Sequence, residues 1–203
     1  MFDVQAAMGP EARERAVIEL LANREHRPRP LTFGWFGIHQ ALLYLAECEP
    51  DHAIEAEALV SDLELDAALT ARPARSLDQL FAACAAAERK VAVISDLSEY
   101  AVLAALRAHG LEAPVAAVAA RQGLDLSAFD AASTAQRAAL LLGVPLATCL
   151  IVSGQFRRLY ATRQAGAVGL GCECGRDPRK HLADDQTPVV SNLATLSHAL
   201  LAR

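Results

Sequence analysis

From residue 91 onward the chain alternates short, unbroken apolar runs with helical stretches. This alternation limits the possible folds more than any other feature. Val91–Ile94 is the kind of continuous apolar run that forms a parallel strand buried on both faces. Residues 98–108 read as a helix, with Gly110 as a natural stop. Val115–Ala119 reads as a second strand, followed by a helix over 128–142 that Gly143 and Pro145 end. Cys149–Val152, Ala167–Leu170 and Val189–Val190 are further strands, with helices over 156–165 and 192–202. Parallel neighbours need crossover connections, so this order implies an α/β fold whose parallel sheet is wrapped on both faces.

Before residue 89 the pattern is helical. Ala12, Ala16, Ile18, Leu20 and Leu21 are the apolar members of a helix over 10–25 that opens with Pro10. The stretch Arg27-Pro-Arg-Pro30 breaks it. Leu31 to Ile38, LTFGWFGI, reads as a short strand or a packed loop. Helices follow over 39–47 and 51–69, with Pro50 between them and Asp51 as N-cap, and over 76–88, starting at Ser76. The chain divides into an N-terminal helical region, 1–88, and an α/β core, 89–203. At 203 residues, of which 53% are hydrophobic, one domain with a subdomain is expected.

The formal net charge of -5, with no basic run, argues against nucleic acid and against an anionic membrane surface as partners. No apolar run approaches the roughly 18–20 residues of a membrane span, and the first residues do not resemble a secretory signal. A cytoplasmic protein is expected. The five cysteines, Cys48, Cys84, Cys149, Cys172 and Cys174, are an odd and scattered set that fits free thiols. Cys149 reads as core. Cys172-Glu-Cys174 with His181 has a metal-like look but lacks a second ligand pair.

Two segments are more specific. VAVISDLS at 91–98 resembles the second signature of the haloacid dehalogenase (HAD) superfamily, a strand ending in a Ser or Thr that holds phosphate; Ser95 occupies that place. CLIVSGQFRRLYATRQAGAVGLG at 149–171 resembles the fourth, a strand followed by Gly-Asp, a second acid four residues on, and a helix running into Ala-Gly. The tail PVVSNLATLSHAL is similar to the family's last strand and helix, and residues 38–75 are similar to its small helical cap. The resemblance implies a HAD-like Rossmannoid parallel sheet with a small helical cap.

The resemblance also implies a chemistry whose parts are missing here. The family forms an aspartyl-phosphate, with further acids holding Mg²⁺ and a lysine offsetting the charge. The fourth-motif acids read Gly154 and Arg158, and no lysine lies in 121–131. On one register the first motif lies upstream of residue 10, so the central first strand is absent or altered and Asp3 is the one surviving nucleophile candidate. On a second register LTFGWFG matches it, with Gly34 and Phe36 in place of the two aspartates. The cap helices fit the first better.

The expectation is a pseudo-phosphatase that binds a protein partner, a second copy of itself or a small anionic ligand, with the Mg²⁺ site lost and no metal or cofactor. The alternative is a HAD-like hydrolase, or a metal-independent enzyme of specialised metabolism that uses the old cleft. Ser95, Asp96, Gln155 and Arg158 are the ligand-binding candidates; Asp3 and Asp96 are weak catalytic ones. Arg157 and Arg163 sit near the same pocket on this register. Phe33, Trp35 and Phe36 read as core or cap packing.

Overall fold

The computed structural model describes residues 2, 4–9, 11–23, 33–175, 177–183 and 187–202. Asp3, Pro10 and the Arg27–Pro30 break lie outside these, as do the side chains of Phe33, Trp35 and Phe36.

Among the described residues five helices come first: α1 (Val4–Met8), α2 (Ala12–Asn23), α3 (Phe33–Cys48), α4 (Pro50–Thr70) and α5 (Leu77–Ala86). The segment expected as a strand or loop at 31–38 is helical from Phe33. Its glycines do mark a break, because Gly37 has φ 67 and interrupts the helix. The piece after the break starts with the Ile38 N–H donated to Glu14 Oε1 at 3.0 Å. Pro50 is at the first turn of α4 and Glu49 is its N-cap, so Asp51 falls inside the helix instead of capping it.

α4 spans 21 residues. Its buried positions are Ala53, Ala56, Val60, Glu64, Ala67 and Ala68, the three-and-four spacing of a single helix face. The first half of that face packs with Val17 and Leu21 of α2 and with Ile38, Ala41, Leu42 and Leu45 of α3. The second half meets Val4 of α1 and Ala101 and Ala105 of the helix over Glu99–Ala108, through a seam of alanines.

The α/β part then runs β1 (Val91–Ser98), α6 (Glu99–Ala108), β2 (Val115–Arg121), α7 (Ala131–Leu142), β3 (Leu150–Ser153), α8 (Phe156–Gln164), β4 (Val168–Cys172), α9 (Arg179–Leu182), β5 (Val189–Val190) and α10 (Leu193–Leu201). Ser98 caps α6, accepting the Ala101 N–H. Gly143, at φ 68, closes α7 in the left-handed conformation that glycine adopts without a Cβ penalty.

All strand pairs are parallel, but they form two sheets. β1 pairs with β2, and β4 lies between β3 and β5. Among the described residues no strand joins the two sheets. They nevertheless share one core: Val93 of β1 and Ala120 of β2 belong to the same apolar cluster as Leu170 and Cys172 of β4, covered by Leu80 and Phe81 of α5 and by Leu193 and Leu196 of α10. Cys149, expected inside a buried strand, stands half-buried just ahead of β3.

Asp130 illustrates how local polar chemistry sets a helix start. Its Oδ2 accepts the Ser133 hydroxyl at 2.6 Å and the Ser133 N–H at 2.9 Å, at the head of α7. These bonds, the hydroxyl first, hold its carboxyl below the usual carboxylate range. The cap's contribution is therefore complete above the unfolded-state value, about pH 4, and is lost as pH falls through the lower folded-state value. Asp130→Ala is expected to cost about 1 kcal/mol at neutral pH. Urea midpoints should show the gap between variant and wild type narrowing in acid.

Candidate functional site

Three buried stripes each carry one charged residue where an apolar one belongs. On α2 the stripe reads Arg13, Val17, Leu21; on α4 it reads Val60, Glu64, Ala67; at the end of β2 it reads Ala119, Ala120, Arg121. The fold brings all three together at the carboxyl end of β1. Glu64, 0% exposed, is the hub. Its Oε1 accepts Arg13 Nη1 at 3.0 Å, and its Oε2 accepts Arg121 Nη2 at 2.6 Å and the backbone N–H of Ser98 at 2.7 Å. Arg121 extends its other terminal nitrogen to Glu57, which also receives the Ser61 hydroxyl. Its guanidinium carbon lies 5.9 Å from the centre of the Phe129 ring, a cation–π contact.

The network continues to the second sheet. Arg13 lies 4.0 Å from Asp96 Oδ2, and Asp96 Oδ1 meets Arg158 Nη2 at 3.4 Å. Arg158 also donates Nη1 to the Ile94 carbonyl at 3.3 Å. A chain of alternating charge thus runs from Arg158 through Asp96, Arg13, Glu64 and Arg121 to Glu57, tying α8, β1, α2, α4 and β2 together. Three guanidiniums face three carboxylates, so the group is neutral as a whole.

Of the residues singled out from sequence, Asp96 and Arg158 meet directly, and Ser95 is adjacent. The Ser95 hydroxyl accepts the Leu97 N–H at 3.1 Å. Gln155 stands apart: it is exposed, and its N–H goes to Ser153 Oγ at 3.1 Å. The three arginines of α8 part company, with Arg157 exposed and Arg163 bonded to Thr187.

Gly154 has a specific environment. A Cβ built there would lie 2.2 Å from Gly175 Cα, so the backbone of the turn after β4 closes over this position. The closure is fastened beyond the turn, where the Asp177 N–H reaches the Gly154 carbonyl at 3.0 Å and its carboxylate accepts the Phe156 N–H at 2.7 Å. Cys172 and Cys174 are joined by a disulfide in this turn, which corrects the expectation of five free thiols; Cys48, Cys84 and Cys149 remain free. Among the described residues no group of three metal-ligating side chains assembles, and His181 is exposed.

Arg13, Glu57 and Glu64 fall within expected helices, and Arg121 lies beyond Ala119, where the second strand is expected to end, whereas β2 extends through it. The signal was there: Glu64 and Arg13 each repeat the spacing of an apolar stripe, and Arg121 ends an otherwise apolar strand.

By sequence, no family model and no curated protein matches the chain. Solved structures do. A predicted phosphatase from Clostridium acetobutylicum superposes with a TM-score of 0.71 at 11% identity, over 100% of this chain and 94% of that one. An L-2-haloacid dehalogenase superposes with a TM-score of 0.58 at 20% identity, over 94% of this chain and 93% of that one. At such identities the likeness is one of fold, and the activities belong to those proteins. The chain therefore has a HAD-like α/β fold.

Proposed function

We propose that this chain is a HAD-like protein without phosphoryl-transfer chemistry, which acts by binding a protein partner, a second copy of itself or a small anionic ligand. One observation carries the reading: the charged groups at the carboxyl end of β1 are taken up by one another. A phosphoryl-transfer site needs carboxylates free to attack, to protonate a leaving group and to hold Mg²⁺. Asp96 is engaged by Arg158. Position 154 offers no side chain and the Gly175 backbone fills the space beside it. Mg²⁺ takes hard oxygen ligands, so a guanidinium at 158 and a glycine at 154 do not fit it.

The split between the sheets supports the binding role. Along its side away from β2, β1 pairs with no described strand, and unpaired strand backbone calls for a partner. A homodimer or an obligate complex in the cytoplasm is the expected state, so light scattering should give a mass above that of one chain.

The deciding experiment is hydrolysis of p-nitrophenyl phosphate with Mg²⁺, comparing wild type with Asp3→Asn. The expected result is no turnover above the variant. Turnover lost in the variant would overturn the reading.

One feature favours an alternative, a metal-independent enzyme using the same end of the sheet. A depression of about 360 Å³ lies at the carboxyl ends of β1 and β2, lined by Ser98, Tyr100, Arg121 and Gln122 among others. Open α/β sheets bind ligands at such ends. Turnover that persists in a chelator and is lost in Tyr100→Phe would select it.

A further inference from the structure

We propose that Cys172 and Cys174 are a reversible dithiol/disulfide couple, a thiol-exchange site at the turn that closes over Gly154. The inference does not depend on the binding role above.

The bond is poorly suited to be a structural staple. Its cysteines are two positions apart, with Cα atoms 5.2 Å apart, so it closes about the shortest loop a disulfide can. Short loops restrict the unfolded chain least. Its exposure is one-sided, since Cys174 is exposed while Cys172, at the end of β4, is 0% exposed. An incoming thiolate therefore has access to Cys174 only, and the leaving sulfur is that of Cys172. That sulfur already receives the Cys174 N–H at 3.3 Å, a donor that favours negative charge on it. Exposed disulfides of this kind are the exchangeable ones. Burial holds the Cys84 and Cys149 thiols above the usual range, which leaves them poor competitors.

The exchange balances with an external thiol as reductant. A thiolate RS⁻ attacks Cys174 Sγ. The Cys172–Cys174 bond breaks with its electron pair leaving on Cys172 Sγ, and a mixed disulfide remains on Cys174. A second thiolate attacks the outer sulfur, releasing RSSR and the Cys174 thiolate. Two thiols are oxidised to one disulfide, the protein takes up two electrons, and the two protons end on the two cysteines.

The consequence reaches the site. Gly175 lies against Gly154, and Asp177 holds the Gly154 carbonyl and the start of α8, which carries Arg158. Opening the disulfide releases the turn that fastens this corner.

The test uses the full chain with Cys48→Ser, which removes the other exposed thiol. The folded protein is equilibrated with mixtures of reduced and oxidised glutathione, quenched in acid, alkylated and mapped by mass spectrometry. Alkylation of Cys174 should rise at least about tenfold from the most oxidising to the most reducing mixture, together with that of Cys172. Cys172→Ser should trap glutathione on Cys174 about tenfold more than Cys174→Ser traps it on Cys172. Cys172 and Cys174 both alkylated in the most oxidising mixture, or a disulfide that glutathione reduces only after unfolding, would overturn the proposal. Should the serine variants not fold, the Cys48→Ser titration alone decides it.

Discussion

Glu64→Ala is expected to lower the unfolding free energy by about 3–5 kcal/mol, the range for breaking a buried ion pair by removing one partner. Three donors converge on that carboxylate, from Arg13, Arg121 and the Ser98 backbone. Arg13 is 7% and Arg121 1% exposed, so water cannot take the place of the lost acceptor. The desolvation cost of two cations and an N–H then falls on the folded state. For a chain of this size the loss should lower Tm by roughly 10 °C, at about 2–4 °C per kcal/mol. Glu64→Gln separates shape from charge. It keeps an acceptor in place and should still forfeit most of the stabilisation, because the guanidiniums remain buried and underpaired. The double variant Glu64→Leu/Arg121→Met should recover part of the loss, since removing both members of a buried pair costs less than orphaning one. Urea unfolding followed by circular dichroism checks all three. A loss below about 1 kcal/mol for Glu64→Ala would mean that solvent reaches the network.

Gly154→Asp, which restores the acid that the HAD resemblance implies, is expected to destabilise the chain and to give no Mg²⁺ binding. The obstacle is backbone. The first added carbon would stand 2.2 Å from Gly175 Cα and 2.6 Å from its nitrogen. A side chain could rotate away; two backbone segments must separate. Overpacking costs about 1–3 kcal/mol where neighbours can adjust, so Gly154→Ala should reach at least the top of that range and the aspartate should exceed it. Gly175→Ala tests the same contact from the other side, where its Cβ would lie 2.3 Å from Gly154 Cα. Thermal unfolding reads the stability, and calorimetry with MgCl₂ reads the metal. A stable Gly154→Asp protein that binds Mg²⁺ would show that the turn yields, and the binding-only reading would lose its strongest support.

Much of the α/β part was legible because its signals are local. Val91–Ile94 and Val115–Ala119 are continuous apolar runs, and they lie in β1 and β2. The strand expected at 149–152 occurs at Leu150–Ser153, within the usual uncertainty of an end. The segment at 31–38 misled because aromatic residues and glycines suit a strand or a turn, while its described residues, from Phe33, are a helix broken at Gly37. At the site, Ser95 and Arg158 could be singled out because a family pattern names those positions, and Asp96 because it adjoins Ser95. Arg13, Glu57, Glu64 and Arg121 could not be assembled so, because their meeting depends on how α2, α4 and β2 pack. The Cys172–Cys174 bond was hidden for a similar reason: an odd cysteine count says nothing about whether two near neighbours face each other.

The alternating charge chain also decides what can be exchanged in this molecule. Before the short joint at 87–90 it draws on Arg13, Glu57 and Glu64, and after it on Asp96, Arg121 and Arg158. The helices before the joint therefore bring a surplus of one negative charge to the contact, and β1, β2 and α8 after it a matching surplus of one positive charge. Neither part is a portable module. A chimera that grafts other helices onto these strands would bury an uncompensated cation, unless acids equivalent to Glu57 and Glu64 travel with the graft.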